Sequence, residues 1–94
     1  MSYDIQVTST YKKNYKKLKK RGKDTEKLKY VIATLARGEK LAPKYRDHQL
    51  TNSKRFIDCR ECHVEPDWLL VYKKNKEELI LLLIETGSHS DLFE

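Results

Sequence analysis

The spacing of hydrophobic positions changes twice along the chain. Over residues 3–8, tyrosine, isoleucine and valine alternate with polar residues, the two-residue period of a half-buried strand that opens a sheet. Over residues 9–21 the period lengthens: Tyr11, Tyr15 and Leu18 share one helical face, Ser9 or Thr10 can cap the start, and Gly22 stops the helix. A second helix is expected over residues 25–37, where Leu28, Val31, Ile32 and Leu35 form a stripe that ends at Gly38. Two helices joined by so short a turn make an αα-hairpin.

Pro43 breaks the next stretch, so residues 41–50 are expected to be mostly loop, with a short strand near 46–50. Three strands then follow, at about 55–64, 68–73 and 78–86, separated by turn signals at Glu65-Pro66 and Lys74-Asn75-Lys76. They predict an antiparallel meander. Its last strand, Leu79-Ile80-Leu81-Leu82-Leu83-Ile84, is apolar on both faces and is expected to be central, covered by the helix hairpin on at least one side. Gly87 ends it, and residues 88–93 form a short tail with one helical turn. The fold class is therefore α+β: an N-terminal strand, an αα-hairpin, a meander packed on the helices and a C-terminal helical turn, in one domain over 1–94.

At 94 residues there is room for one modest core, and any active site is expected to be shallow. The excess of 20 Lys+Arg over 14 Asp+Glu, a formal charge of +6, favours polyanionic partners such as nucleic acid. The first helix concentrates that charge in Lys12, Lys13, Lys16, Lys17, Lys19, Lys20 and Arg21. No apolar stretch approaches membrane-spanning length, and Met1-Ser2-Tyr3-Asp4 lacks the order of a signal peptide. A cytoplasmic protein is expected, with Cys59 and Cys62 reduced and no membrane partner.

Candidate chemistry gathers in the C-terminal half. The three histidines, His48, His63 and His89, lie at strand ends or loops and in no predicted helix. Imidazole donates and accepts protons near neutrality, the service that metal-free RNA cleavage needs: a 2′-hydroxyl loses a proton and a 5′-oxygen gains one. A cation or donors must hold the charge on phosphorus. In His63-Val64-Glu65-Pro66-Asp67-Trp68 an imidazole, a tight turn and a carboxylate adjoin a large aromatic; the plain alternatives are a turn-capping Asp67 and a core-anchoring Trp68.

Cys59-Arg60-Glu61-Cys62-His63 matches C-x-x-C-H, but strand alternation sends the two thiols to opposite faces, there is no second cysteine pair, and no metal or other cofactor is expected. The same alternation puts Cys59, Glu61 and His63 on one face and Arg60 and Cys62 on the other. Glu61 then orients the imidazole, acts as base, or is simply an exposed strand charge.

Taken in order, Tyr45-Arg46-Asp47-His48-Gln49-Leu50, Arg60-Glu61-Cys62-His63-Val64-Glu65-Pro66-Asp67-Trp68 and Thr86-Gly87-Ser88-His89-Ser90-Asp91-Leu92-Phe93 closely resemble the YafQ branch of the RelE toxin superfamily, over nearly the whole chain. The resemblance implies the toxin of a type II toxin-antitoxin pair, an endoribonuclease that cuts translated mRNA in the ribosomal A site. It implies His48, His63, Asp67 and His89 as the acid-base set, with His89 as general acid and either His48 or Asp67 as base. Trp68 and Phe93 are then expected to hold the nucleotide, with Glu61, Arg60 and Arg46 also at the substrate. The implied partners are the ribosome with its mRNA, a DinJ/RelB-like acidic antitoxin, and operator DNA only through that antitoxin.

One residue departs from the pattern. Relatives commonly carry an arginine just before the T-G-x-H segment, and here that residue is Glu85. A carboxylate cannot stabilise a phosphorane. The missing charge comes from Arg60, Arg46, Arg55, a lysine or the ribosome, or Glu85 faces away. Otherwise the chain is a weak nuclease or a non-catalytic RNA-binding module of the same fold. A pure DNA-binding repressor is disfavoured, since no helix-turn-helix with a polar recognition face is evident.

Overall fold

The computed structural model describes residues 2–93. In order, the elements are strand β1 (Asp4–Val7), helices α1 (Ser9–Lys20) and α2 (Thr25–Ala36), a 3-10 turn (Pro43–Tyr45), strands β2 (His48–Gln49), β3 (Arg60–Glu65), β4 (Trp68–Asn75) and β5 (Ile80–Gly87), and helix α3 (His89–Phe93). The α+β class and the helix hairpin are as expected.

The strands form one sheet in the order β1-β5-β4-β3-β2. β2 to β5 make the antiparallel meander, whereas β1 runs parallel to β5, with Asp4 opposite Ile80. The middle of the sheet is therefore β4 and not β5. Residues Trp68 to Tyr72 of β4 are all buried, while Leu82 and Ile84 of β5 are only half-buried. An apolar run on both faces marks an inner strand, but does not distinguish the middle of the sheet from its neighbour.

One core lies between the helices and the sheet, built from Tyr11, Leu18, Leu28, Val31, Leu35, Cys62, Trp68, Tyr72 and Leu83 among others. Burial pushes the Tyr11 hydroxyl pKa up to about 12. A smaller cluster, Phe56, Cys59, Leu69, Val71 and Leu92, lies on the opposite face under α3 and the 50–59 segment. Among the described residues no helix is long and apolar enough to cross a membrane.

Three local expectations change. The cap of α1 is Thr8, whose Oγ1 accepts from Tyr11 N at 2.9 Å, and not Ser9 or Thr10. The strand expected from residue 55 begins at Arg60, because Asn52 and Asp58 adopt positive φ (59° and 58°) and Phe56 folds inward. His89, expected outside any helix, is the first residue of α3.

Candidate active site

Two β-bulges decide which side chains share a face. In the β4–β5 pairing the register slips between Val71 and Tyr72, so that Tyr72 lies opposite Leu83 but Val71 opposite Glu85. Ile84 is the extra residue, and a bulge of this kind turns the following side chain onto the face that simple alternation denies it. Glu85 consequently lies on the face away from α1 and α2, and the notion that it faces away from the site does not hold. Thr8 stabilises the bulge by donating from Oγ1 to the Ile84 carbonyl at 2.6 Å. A second slip, between His63 and Glu65, sends Glu65 to the helix side, where Lys23 and Lys27 reach it at 3.1 and 2.8 Å. Hydrogen bonds from Lys27 and Lys23 hold the Glu65 carboxyl below its ordinary pKa.

Across the helix-free face, His48 lies opposite Glu61, Glu61 opposite Val71, and Val71 opposite Glu85. One row further along, His63, Leu69 and Gly87 are partners. Glu61 is buried, and its Oε1 lies 3.7 Å from His48 Nε2 and 3.5 Å from His63 Nε2. The other ring nitrogens face backbone carbonyls: His48 Nδ1 is 2.7 Å from the Arg46 oxygen, and His63 Nδ1 3.1 Å from that of Pro66. A carbonyl only accepts, so each Nδ1 carries a hydrogen and each Nε2 is the atom that exchanges a proton.

His89 is brought to this face by the end of β5. Ser88 and Asp91 form a capping box: Ser88 N donates to Asp91 Oδ2 at 3.0 Å and Asp91 N to Ser88 Oγ at 3.1 Å. The Ser88 amide, the Ser88 hydroxyl and nearby Arg21 hold the Asp91 carboxyl below its ordinary pKa. Gly87 leaves room for this cap, since a Cβ there would sit 3.0 Å from Asp91 Oδ2 and press the capping side chain aside. Asp67 Oδ1 accepts from the His89 amide at 3.0 Å, tying the β3–β4 turn to α3. The His89 ring packs 5.1 Å from Phe93, which meets Phe56 edge-on at 5.6 Å.

Two expected substrate residues are placed elsewhere. Trp68 is 1% exposed in the helix-side core, where its Nε1 donates to Thr86 Oγ1 at 3.0 Å. It is a core anchor, with almost no surface for a nucleotide. Arg60 points to the helix side, where its Nε donates to Asp47 Oδ1 at 3.3 Å and Tyr72 Oη at 3.4 Å. Burial and the Asp47 carboxylate push the Tyr72 hydroxyl pKa up. Arg46 remains exposed in a left-handed conformation, with φ 49°, after the 3-10 turn. Phe93 is partly exposed, at 37%.

Arg55 is among the candidate cations named from the sequence, but its pairing with Glu85 and the groove beside His63 are not legible there. Arg55 reaches the Glu85 carboxylate and also donates to the Leu92 carbonyl at 2.7 Å. An open groove of about 830 Å³ lies between α2, the 3-10 turn and the β3–β4 turn, next to His63. Tyr30 and Tyr45 line it with ring centroids 6.2 Å apart. The sequence places Arg55 at the start of an expected strand and among several candidate cations, and nothing in residues 54–56 singles it out from Arg46 and Arg60. The exposed aromatic Tyr30 on α2 was the available signal for the groove.

Cys59 and Cys62 lie in different clusters on opposite faces, and burial raises both thiol pKa values. Among the described residues no group of three His, Cys, Asp or Glu side chains is arranged to hold a metal ion.

The sequence model of the family described as bacterial toxin of type II toxin-antitoxin system, YafQ, matches residues 3–94. The mRNA interferase toxin YafQ of Escherichia coli strain K12 is 40% identical over 91 residues, covering 96% of this chain and 95% of that protein. In the E. coli DinJ-YafQ toxin-antitoxin complex, a chain 38% identical superposes with a TM-score of 0.87, covering 100% of both chains. A metal-bound toxin from Helicobacter pylori is 44% identical, with a TM-score of 0.89 over 99% of this chain and 100% of that one.

Proposed function

The chain belongs to the YafQ family of type II toxin-antitoxin toxins, and on that premise we propose that it is an mRNA interferase, a ribosome-dependent endoribonuclease acting through His48, His63, Asp67 and His89. The observation that supports this best is the buried Glu61 carboxylate between the Nε2 atoms of His48 and His63, on the face that also carries His89. Three imidazoles near one face supply both a proton acceptor and a proton donor.

His48 takes the proton from the 2′-hydroxyl on its free Nε2, since its Nδ1–H is committed to the Arg46 carbonyl. The 2′-oxygen then forms a bond to phosphorus as the bond to the 5′-oxygen breaks, and His89 gives that oxygen its proton. The products are a 2′,3′-cyclic phosphate and a 5′-hydroxyl, with no atom gained or lost. Glu61 pairs with whichever imidazole carries the second proton, and His63 completes that pair. Asp67 is a positioning residue, because one of its oxygens holds the amide of His89. Phe93 packs tilted against the His89 ring, and its exposed surface is offered to a base.

The shallow, open face suits a substrate held mostly by something other than the toxin, which agrees with cleavage on the ribosome. The exposed lysines of α1 suit phosphate-rich RNA surroundings. E. coli YafQ is seen in a complex with DinJ. An acidic antitoxin of that kind neutralises this chain and carries it to operator DNA. The binding-only alternative rested on a bare carboxylate at Glu85, and that charge is paired with Arg55.

Expression of the chain without an antitoxin tests the reading. Growth and protein synthesis stop with the wild type and continue with His89→Ala at equal protein level. Unimpeded growth with the wild type contradicts the enzyme, and arrest by His89→Ala contradicts its acid.

A further inference from the structure

Glu85 is a carboxylate in apolar surroundings. Its side chain is 9% exposed, on a face where Leu69, Val71, Leu92 and Ile84 pack together. Such a group is costly to desolvate unless a cation meets it, and an apolar side chain would fill the same space without that cost. The Arg55 guanidinium meets it from the 50–59 segment, with Nη2 donating to Glu85 and Nη1 to the Leu92 carbonyl. Phe56, the next residue, fixes the segment by burying its ring, and the guanidinium lies 4.8 Å above it.

These contacts use only part of a group with five N–H donors in a fixed fork. The Arg55 side chain remains 54% exposed, so its other donors face solvent. Its position is specific. Glu85 stands two strands from Glu61 in the same row, about 10 Å at strand spacing. Arg55 therefore flanks the row at the β5 end, beside α3, and the Leu92 carbonyl it holds lies about 5 Å along the helix axis from His89. Of the three arginines named above as candidates, Arg60 is turned to the other face by Asp47 and Tyr72, and Arg46 stands near β2 at the far end of the row.

We propose that Arg55 is the cation that stabilises the developing negative charge on the scissile phosphate, and that Glu85 is the positioning residue that aims it. The proposal rests on the endoribonuclease reading above. The positive charge comes from the loop, and the strand carries its counter-charge. The Arg55–Glu85 pair thus puts a guanidinium at the site without an arginine in β5.

Single-turnover cleavage of mRNA on programmed ribosomes, at saturating toxin and with ribosome affinity measured separately, tests this. Arg55→Ala slows the cleavage step by roughly 100-fold, as loss of one transition-state donor does, while ribosome affinity changes by less than about threefold. Arg55→Lys recovers part of the rate, and Glu85→Gln gives an intermediate loss because the guanidinium is present but no longer aimed. The exchanged pair, Arg55→Glu with Glu85→Arg, returns the cation from the strand and cleaves within about tenfold of wild type. Arg55→Ala cleaving within about twofold of wild type overturns the proposal. So does a loss in Arg55→Ala that tracks a lost thermal transition while the folded exchanged pair stays inactive. A wild-type chain that cleaves nothing overturns the nuclease reading itself, an outcome distinct from both.

Discussion

Glu61 Oε1 stands 3.5 Å from His63 Nε2, with the carboxylate buried and the imidazole side chain only 17% exposed. The separation is that of an ion pair rather than a hydrogen bond. It gives the carboxylate an electrostatic role: its negative charge lies beside the imidazoles that exchange protons. Glu61→Gln keeps the volume and loses the charge. Cleavage is expected to fall by about tenfold or more with unchanged ribosome affinity, less than the roughly 100-fold or greater loss from removing a direct proton donor such as His89. Single-turnover rates of the two variants make the comparison.

Trp68 is predicted to matter for folding and not for contact with RNA. Trp68→Ala costs about 3–5 kcal/mol, the usual cost of emptying a large aromatic site. Trp68→Phe fills most of the space but removes the donor to Thr86 Oγ1, costing about 1–2 kcal/mol. Urea denaturation measures both. A Phe variant that is folded yet inactive contradicts the placement of Trp68 as a core anchor.

Acid sensitivity follows from Asp91 and Glu65. Both carboxyls are held below their ordinary pKa in the folded chain, Asp91 by the Ser88 amide first and Glu65 by Lys27 first. A depressed folded pKa contributes stability that is present above the unfolded value, near 4, and lost as pH falls through the folded value. Thermal stability is therefore expected to decline below about pH 4, and to decline less steeply in Asp91→Asn. The difference is modest, because Asp91 is 39% exposed and partly screened. Melting curves from about pH 6 down to about pH 2.5 measure it, and parallel declines in both proteins contradict the cap's contribution.

The two cysteines are expected to be inert. Burial raises both thiol pKa values and leaves Cys62 with no measurable solvent exposure. Neither is expected to react with iodoacetamide at neutral pH until the chain is unfolded. Mass spectrometry of the native and urea-treated protein shows this. Fast native alkylation of Cys62 contradicts the packing of β3.

Much of this architecture is legible in the sequence, because periodicity reports burial. Leu28, Val31 and Leu35 mark the buried face of α2, and Cys62 with Val64 separates the helix side of β3 from the side carrying Glu61 and His63. What is not legible depends on pairing between strands distant in sequence. The Ile84 bulge turns Glu85 toward the histidines, yet the run Leu81-Leu82-Leu83-Ile84-Glu85 contains no glycine or proline to announce it. The parallel addition of β1 beside β5 is likewise a tertiary choice. Arg55 is one candidate cation among several in the sequence until Glu85, 30 residues later, is seen paired with it.

The most direct test of the central claim is the chemistry of the ends produced when purified toxin meets ribosomes programmed with a defined mRNA. Cleavage inside the A-site codon, leaving a 2′,3′-cyclic phosphate and a 5′-hydroxyl, is predicted for the wild type. It is expected to be abolished when the 2′-hydroxyl at the cut site is replaced by hydrogen, and nearly so in His89→Ala. Cleavage that persists on the 2′-deoxy substrate, or that leaves a 5′-phosphate, contradicts attack by the 2′-oxygen and with it the roles given to His48 and His89.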